Sequence, residues 1–138
     1  MIHIAIVEDE AFYVQQIQNY MERYQQESQR EISVTVYSDG EDILDNYKGD
    51  YDIILMDIQM RFMDGMTAAK NIRKLDDAVV IMFITNMTQY AVQGYEVDAL
   101  DYIIKPVEYF AFSQKLEKAV GRIRRRKRFY VTIPVEDG

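Results

Sequence analysis

Short apolar runs alternate along the chain with stretches in which apolar residues recur at steps of three and four. The runs are Ile2 to Val7, Ile32 to Tyr37, Tyr51 to Met56, Val79 to Ile84 and Tyr102 to Ile104. This alternation predicts an α/β fold with a parallel sheet. Ile53-Ile54-Leu55-Met56 and Val79 through Ile84 are apolar without a break, as expected of central strands covered on both faces. Ala11, Val14, Ile17, Met21 and Tyr24 mark a first helix with one buried stripe. Ser38 with Glu41 fits a capping box that opens a second helix near Asp39. Asp64-Gly65 predicts a turn, followed by a third helical face of Ala68, Ala69, Ile72 and Leu75. The segment Thr88 to Ala99 is the weakest helix, interrupted by Gly94. Phe112, Leu116, Ala119 or Val120, and Ile123 define the last one. Beyond it, Phe129 to Pro134 reads as a strand that belongs to no earlier unit.

The 138 residues are 49% hydrophobic, enough for one domain with a real core. The net charge of −7 is unevenly spread, because Arg122, Arg124, Arg125, Arg126, Lys127 and Arg128 hold six of the 16 basic residues. Residues 1–121 therefore carry 10 positive and 21 negative groups, which argues against nucleic-acid binding over the whole surface. The basic cluster can extend the last helix, contact phosphates or serve as a linker, and for the isolated chain the linker reading is favoured. Cysteine is absent, which excludes disulfides, thiolate metal sites and Cys nucleophiles. The N-terminus meets acidic residues without a basic start, unlike a signal peptide. No uncharged apolar run approaches the roughly 18 residues that a membrane-spanning helix needs. A soluble cytoplasmic protein with no membrane partner is expected.

In an open parallel sheet, ligands bind outside the carboxyl ends of the strands, where strand order reverses. The first run ends in Glu8-Asp9, the third in Asp57, the fourth in Thr85 and the fifth in Lys105-Pro106. Carboxylates converging there repel one another unless a cation intervenes. With no His or Cys nearby, they select Mg²⁺ or Mn²⁺. Lys105 supplies a compact positive charge and Thr85 a hydroxyl donor. A carboxylate nucleophile, a metal, a lysine and a hydroxyl together make a phosphoryl-transfer site whose product is an aspartyl phosphate. Taken singly, these residues have plainer readings. Thr85 suits a helix N-cap, Lys105-Pro106 a strand terminator and Tyr102 an ordinary aromatic.

Over about residues 1–121 the sequence resembles the receiver domain of two-component response regulators. The resemblance rests on Val7-Glu8-Asp9-Glu10, Leu55-Met56-Asp57-Ile58-Gln59-Met60 with Met63-Asp64-Gly65, Thr85, and Asp101-Tyr102-Ile103-Ile104-Lys105-Pro106, in this order and spacing. It implies a doubly wound, five-stranded parallel sheet of flavodoxin-like order 2-1-3-4-5 with helices on both faces. It further implies that Asp57 is the phosphoacceptor, loaded by a histidine kinase, and that Asp9, Asp57 and the backbone carbonyl of Gln59 bind Mg²⁺. Glu8 would act through metal-bound water. By the same resemblance Thr85 and Tyr102 are a switch pair, Lys105 binds the phosphoryl oxygen, and Lys105-Pro106 matches a peptide that is often cis. Asn86 departs from the small residue usual after the Thr and bears on phosphorylation rate and lifetime. Met87 offers no charged group to orient an attacking water, so slow dephosphorylation is expected.

Residues 122–138 are similar to the linker and first strand of a LytTR-type DNA-binding domain. The implied protein is a transcription regulator that dimerises on phosphorylation, contacts DNA only through an output domain beyond this chain, and catalyses only its own phosphotransfer and dephosphorylation. Two rivals fit less well. An aspartyl-phosphate hydrolase needs a second Asp two residues after the nucleophile, where Gln59 stands. A flavin- or nucleotide-binding module needs a Gly- or Ser/Thr-rich loop after the first strand, where Glu8-Asp9-Glu10 repels phosphate.

Overall fold

The computed structural model describes residues 1–86 and 96–137, with side chains as far as residue 123. Strands β1 (Ile2–Val7), β2 (Ile32–Tyr37), β3 (Ile53–Asp57), β4 (Val80–Thr85) and β5 (Asp101–Ile104) form one sheet in the order β2-β1-β3-β4-β5. Every neighbouring pair is parallel. Helices α1 (Ala11–Ser28), α2 (Gly40–Asp45), α3 (Gly65–Leu75) and α4 (Tyr109–Asp137) complete the doubly wound arrangement.

Side-chain alternation along the strands divides the core into two layers. Ile4, Ile6, Ile53, Leu55, Met82 and Ile84 pack against Ile17 and Met21 of α1 and Phe112 and Leu116 of α4. Ala5, Val7, Ile54, Met56, Ile81 and Phe83 face Ile43 of α2 and Ala68, Ala69 and Ile72 of α3. β3 and β4 are buried along their whole length, as their unbroken apolar runs predict, whereas β2, at the sheet edge, is partly exposed. Each fully buried Ile, Leu or Phe contributes about 1.5–3 kcal/mol.

The structure corrects several local expectations. The α2 cap is Asp39, whose side chain accepts from the Glu41 amide, while the Ser38 hydroxyl instead donates to Asp42 at 2.6 Å. Both are good capping types, but Asp39 is the residue held in extended backbone directly before the first turn. Leu75 leaves the α3 stripe and is exposed, because the buried face is completed by Gly65 and Met66 at the opposite end. The predicted strand over 129–134 is instead part of α4. Among the described residues no strand lies beyond β5 to pair with it, and a helix satisfies its backbone groups locally. Of the segment Thr88 to Ala99, residues 88–95 lie outside the described residues, and Glu96-Val97 form a single tight turn. Met87 also lies outside them.

Candidate functional site

Because all strands run the same way, the residues that end them share one edge. The chain leaves β1 towards β2 on one side and returns to β3 on the other, so the strand order reverses between β1 and β3. Val7 is paired with Met56, Asp57 with Ile84, and Thr85 with Ile104. This register brings Glu8 and Asp9, Asp57, Thr85 and Lys105 to that edge.

Lys105 Nζ lies 3.2 Å from Asp57 Oδ2 and 2.9 Å from Glu8 Oε1. The first contact is a hydrogen bond, and the second is a close ion pair whose angle falls outside hydrogen-bond geometry. Glu8 is 2% exposed and Asp57 3%, so these charges interact with little screening from water. Burial raises the Glu8 pKa from 4.5 to about 7, against the pull of Lys105 and with the help of Asp57. Burial also raises Asp57, again opposed by Lys105. Burial disfavours the Lys105 ammonium, but the two carboxylates outweigh it and hold its pKa above the ordinary value.

Asp9 and Glu10 are exposed and complete the acidic cluster. One carboxylate oxygen from each of Glu8, Asp9, Glu10 and Asp57 lies within 4.8 Å of the others. The donor set is all oxygen and more negative than Lys105 alone can offset, which suits a hard divalent cation. Beside it lies a depression of about 520 Å³ lined by Asp9, Glu10, Ile58, Gln59, Met60, Arg61 and Asp64. The Gln59 backbone amide lies near the Asp57 carboxylate and favours its ionised form.

Thr85 is fully buried at the end of β4, and its carbonyl accepts the Lys105 amide at 3.0 Å. Asn86 follows and is exposed. The Tyr102 ring is half-buried and lies 5.6 Å from the Phe83 ring, at a tilt of 31°. The Lys105-Pro106 peptide is cis. Arg122 is half-buried on α4, while the side chains of Arg124, Arg125, Arg126, Lys127 and Arg128 lie outside the described residues.

Three contributors were not singled out from the sequence for these contacts. The face of the Tyr13 ring stands 4.1 Å from Lys105 Nζ. Asp39 does more than cap α2, since its carboxylate also accepts the amides of Phe62 and Met63 at 3.0 Å and so ties down the loop after Asp57. Gly65 is more than a turn residue, because a Cβ there would lie 2.1 Å from the Asp57 carbonyl oxygen. Only the turn signal at Gly65 and the cap signal near Asp39 hinted at these contacts. Tyr13 carried no signal, since its partner is remote in sequence.

Comparison with known proteins places these features in a family. Residues 4–117 match the response regulator receiver domain. The sensory transduction protein LytT of Bacillus anthracis is 33% identical over 120 residues, which cover 86% of this chain and 47% of that protein. The transcriptional regulatory protein YpdB of Escherichia coli K12 is 35% identical over 116 residues, covering 83% and 46%. The chain thus spans about half the length of these curated relatives. Among solved structures, the response regulatory domain of mrkE from Klebsiella pneumoniae superposes with a TM-score of 0.78 at 27% identity, covering 90% of this chain and 99% of that one. Over that span, the chain belongs to the response regulator receiver domain family of two-component systems.

Proposed function

We propose that the chain is a phosphorylation-dependent switch in which Asp57 accepts a phosphoryl group from the phosphohistidine of a histidine kinase. The observation that carries this reading is the buried contact of Asp57 with Lys105 beside the carboxylates of Glu8 and Asp9. In the transfer, an Asp57 oxygen attacks phosphorus in line and the P–N bond breaks, and the imidazole leaves with the bonding electrons and takes up a proton. Asp9, Asp57 and the Gln59 carbonyl would hold Mg²⁺, with Glu8 acting through water. When bound, the metal neutralises charge on the phosphoryl oxygens.

The protein's own residues do the rest. Asp57 must be ionised to attack, and Lys105 favours that form against the cost of burial. Lys105 then takes a phosphoryl oxygen as its partner. The Thr85 hydroxyl turns to another phosphoryl oxygen, and the Tyr102 ring moves into the vacated space, which alters the surface around β5 and α4. Asn86 tunes the rate and lifetime of the phosphoryl group. We read the altered surface as favouring a homodimer, with residues 122–138 leading to a LytTR-type DNA-binding output domain. The name of the relative YpdB, a transcriptional regulatory protein, supports a role in transcription regulation. The chain's catalysis is confined to its own phosphotransfer and dephosphorylation.

The test is incubation with phosphoramidate and Mg²⁺, followed by intact mass. One added phosphoryl group, lost in Asp57→Asn, supports the reading; steady phosphate release without accumulation points to a hydrolase instead.

A further inference from the structure

We propose that Tyr13 is a positioning residue for Lys105, its ring holding the ammonium at the phosphoryl site; this rests on Asp57 being the phosphoacceptor. A lysine ammonium sits on a flexible four-carbon stem, so its location is set by whatever surrounds it. Glu8 and Asp57 approach Lys105 Nζ at 2.9 and 3.2 Å, and the Tyr13 ring meets it at 4.1 Å. Tyr13 stands in the first turn of α1, three residues after Glu10, the last of the acidic residues that follow β1. Its own ring makes a T-shaped pair with Phe12, with centroids 5.2 Å apart.

α1 grips the same segment at a second point. Two turns beyond Tyr13, the Tyr20 hydroxyl donates to the Val107 carbonyl at 2.9 Å, and the Tyr20 ring packs against Tyr109 and Phe112. The helix therefore contacts the chain on both sides of Pro106.

The chemistry favours an aromatic partner over a third carboxylate. When the phosphoryl group arrives, Lys105 must exchange a carboxylate oxygen for a phosphoryl oxygen without leaving the site. An aromatic face attracts the cation yet carries no formal charge to repel the incoming group. It also keeps water from the ammonium, which strengthens the electrostatics of a pre-organised site.

The test compares Tyr13→Phe and Tyr13→Leu in the full chain, with Tyr13→Met as a second non-aromatic variant should the leucine form not fold. Uptake of phosphate from phosphoramidate with Mg²⁺ should slow roughly fivefold in Tyr13→Leu and stay at the wild-type rate in Tyr13→Phe. Without any donor, NMR should show the Lys105 ε-methylene shifted upfield by the ring in wild type and Tyr13→Phe, with the shift lost in Tyr13→Leu. Equal uptake by wild type and Tyr13→Leu, or an unshifted methylene in wild type, overturns the proposal. A shifted methylene in a wild-type chain that takes up no phosphate locates the failure in the phosphoacceptor reading, and Tyr13's role falls with it.

Discussion

Gly65 lies so close to Asp57 that a Cβ on it would stand 2.1 Å from the Asp57 carbonyl oxygen. The Gly65 amide also donates to the carbonyl of the next residue, Ile58, at 2.8 Å, so the first turn of α3 is braced against the backbone that presents the phosphoacceptor. Backbone cannot yield as a flexible side chain can. Gly65→Ala should therefore cost about 1–3 kcal/mol in urea unfolding and reduce phosphate uptake at Asp57. Full stability with full uptake would show that the two segments can separate freely.

Lys105→Met removes the ammonium from between two buried carboxylates. Breaking a buried ion pair by removing one partner costs about 3–5 kcal/mol, and that loss is expected at pH 8 in the absence of metal. The loss should shrink at pH 5.5, where Glu8 and Asp57, both raised by burial, take up protons more readily than ordinary carboxyls. Denaturant titrations at the two pH values check this. A penalty independent of pH would mean the ammonium acts through packing rather than charge.

Glu8 links the site to pH in the metal-free protein. Its pKa is 4.5 ordinarily and about 7 in the fold, so between these values the folded state binds more protons than the unfolded one. Its contribution to stability is complete below about pH 4.5 and is lost as pH rises through about 7. Glu8→Gln should flatten the stability curve across that window. Protons compete with the metal for the same oxygens, so Mg²⁺ should raise Tm more at pH 8 than at pH 5.5. Thermal melts over that range, with and without Mg²⁺, decide it, and a larger metal effect at the lower pH would reverse the assignment.

Asp39 governs the loop between Asp57 and α3 from its place at the N-terminus of α2. Its oxygens accept the amides of Glu41, Phe62 and Met63, each at 3.0 Å, and it is 4% exposed. Asp39→Ala should cost about 2–3 kcal/mol, combining a lost helix cap with part-buried amides left without their carboxylate partner. Amide hydrogen exchange should speed up at Phe62 and Met63 together. If exchange there stays unchanged, the loop is held by something else.

The site was legible where chemistry coincides with strand ends. Asp57 and Lys105 each close an apolar run, and parallel register alone then brings them to one edge. β3 and β4 were equally plain, because unbroken apolar runs of that length have few alternatives to a covered strand. The contact of Tyr13 with Lys105 depends on how α1 lies across the sheet, which no local pattern encodes. The residues around Asp39 signal only a cap, and its two long-range amide partners exist only once the loop has folded back. Residues 129–134 are rich in aromatic and β-branched types that favour a strand, but that preference reflects packing against neighbouring strands. None is present there among the described residues, and the segment continues α4.

The central claim is that Asp57, held by Lys105 beside the carboxylates of Glu8 and Asp9, is where phosphorus becomes attached. Peptide mapping by mass spectrometry, after exposure to phosphoramidate with either Mg²⁺ or EDTA, reads this directly. The expected result is a single phosphoryl group on the peptide containing Asp57, formed with Mg²⁺ and absent with EDTA. Label on any other residue, or equal labelling with the metal removed, contradicts the account.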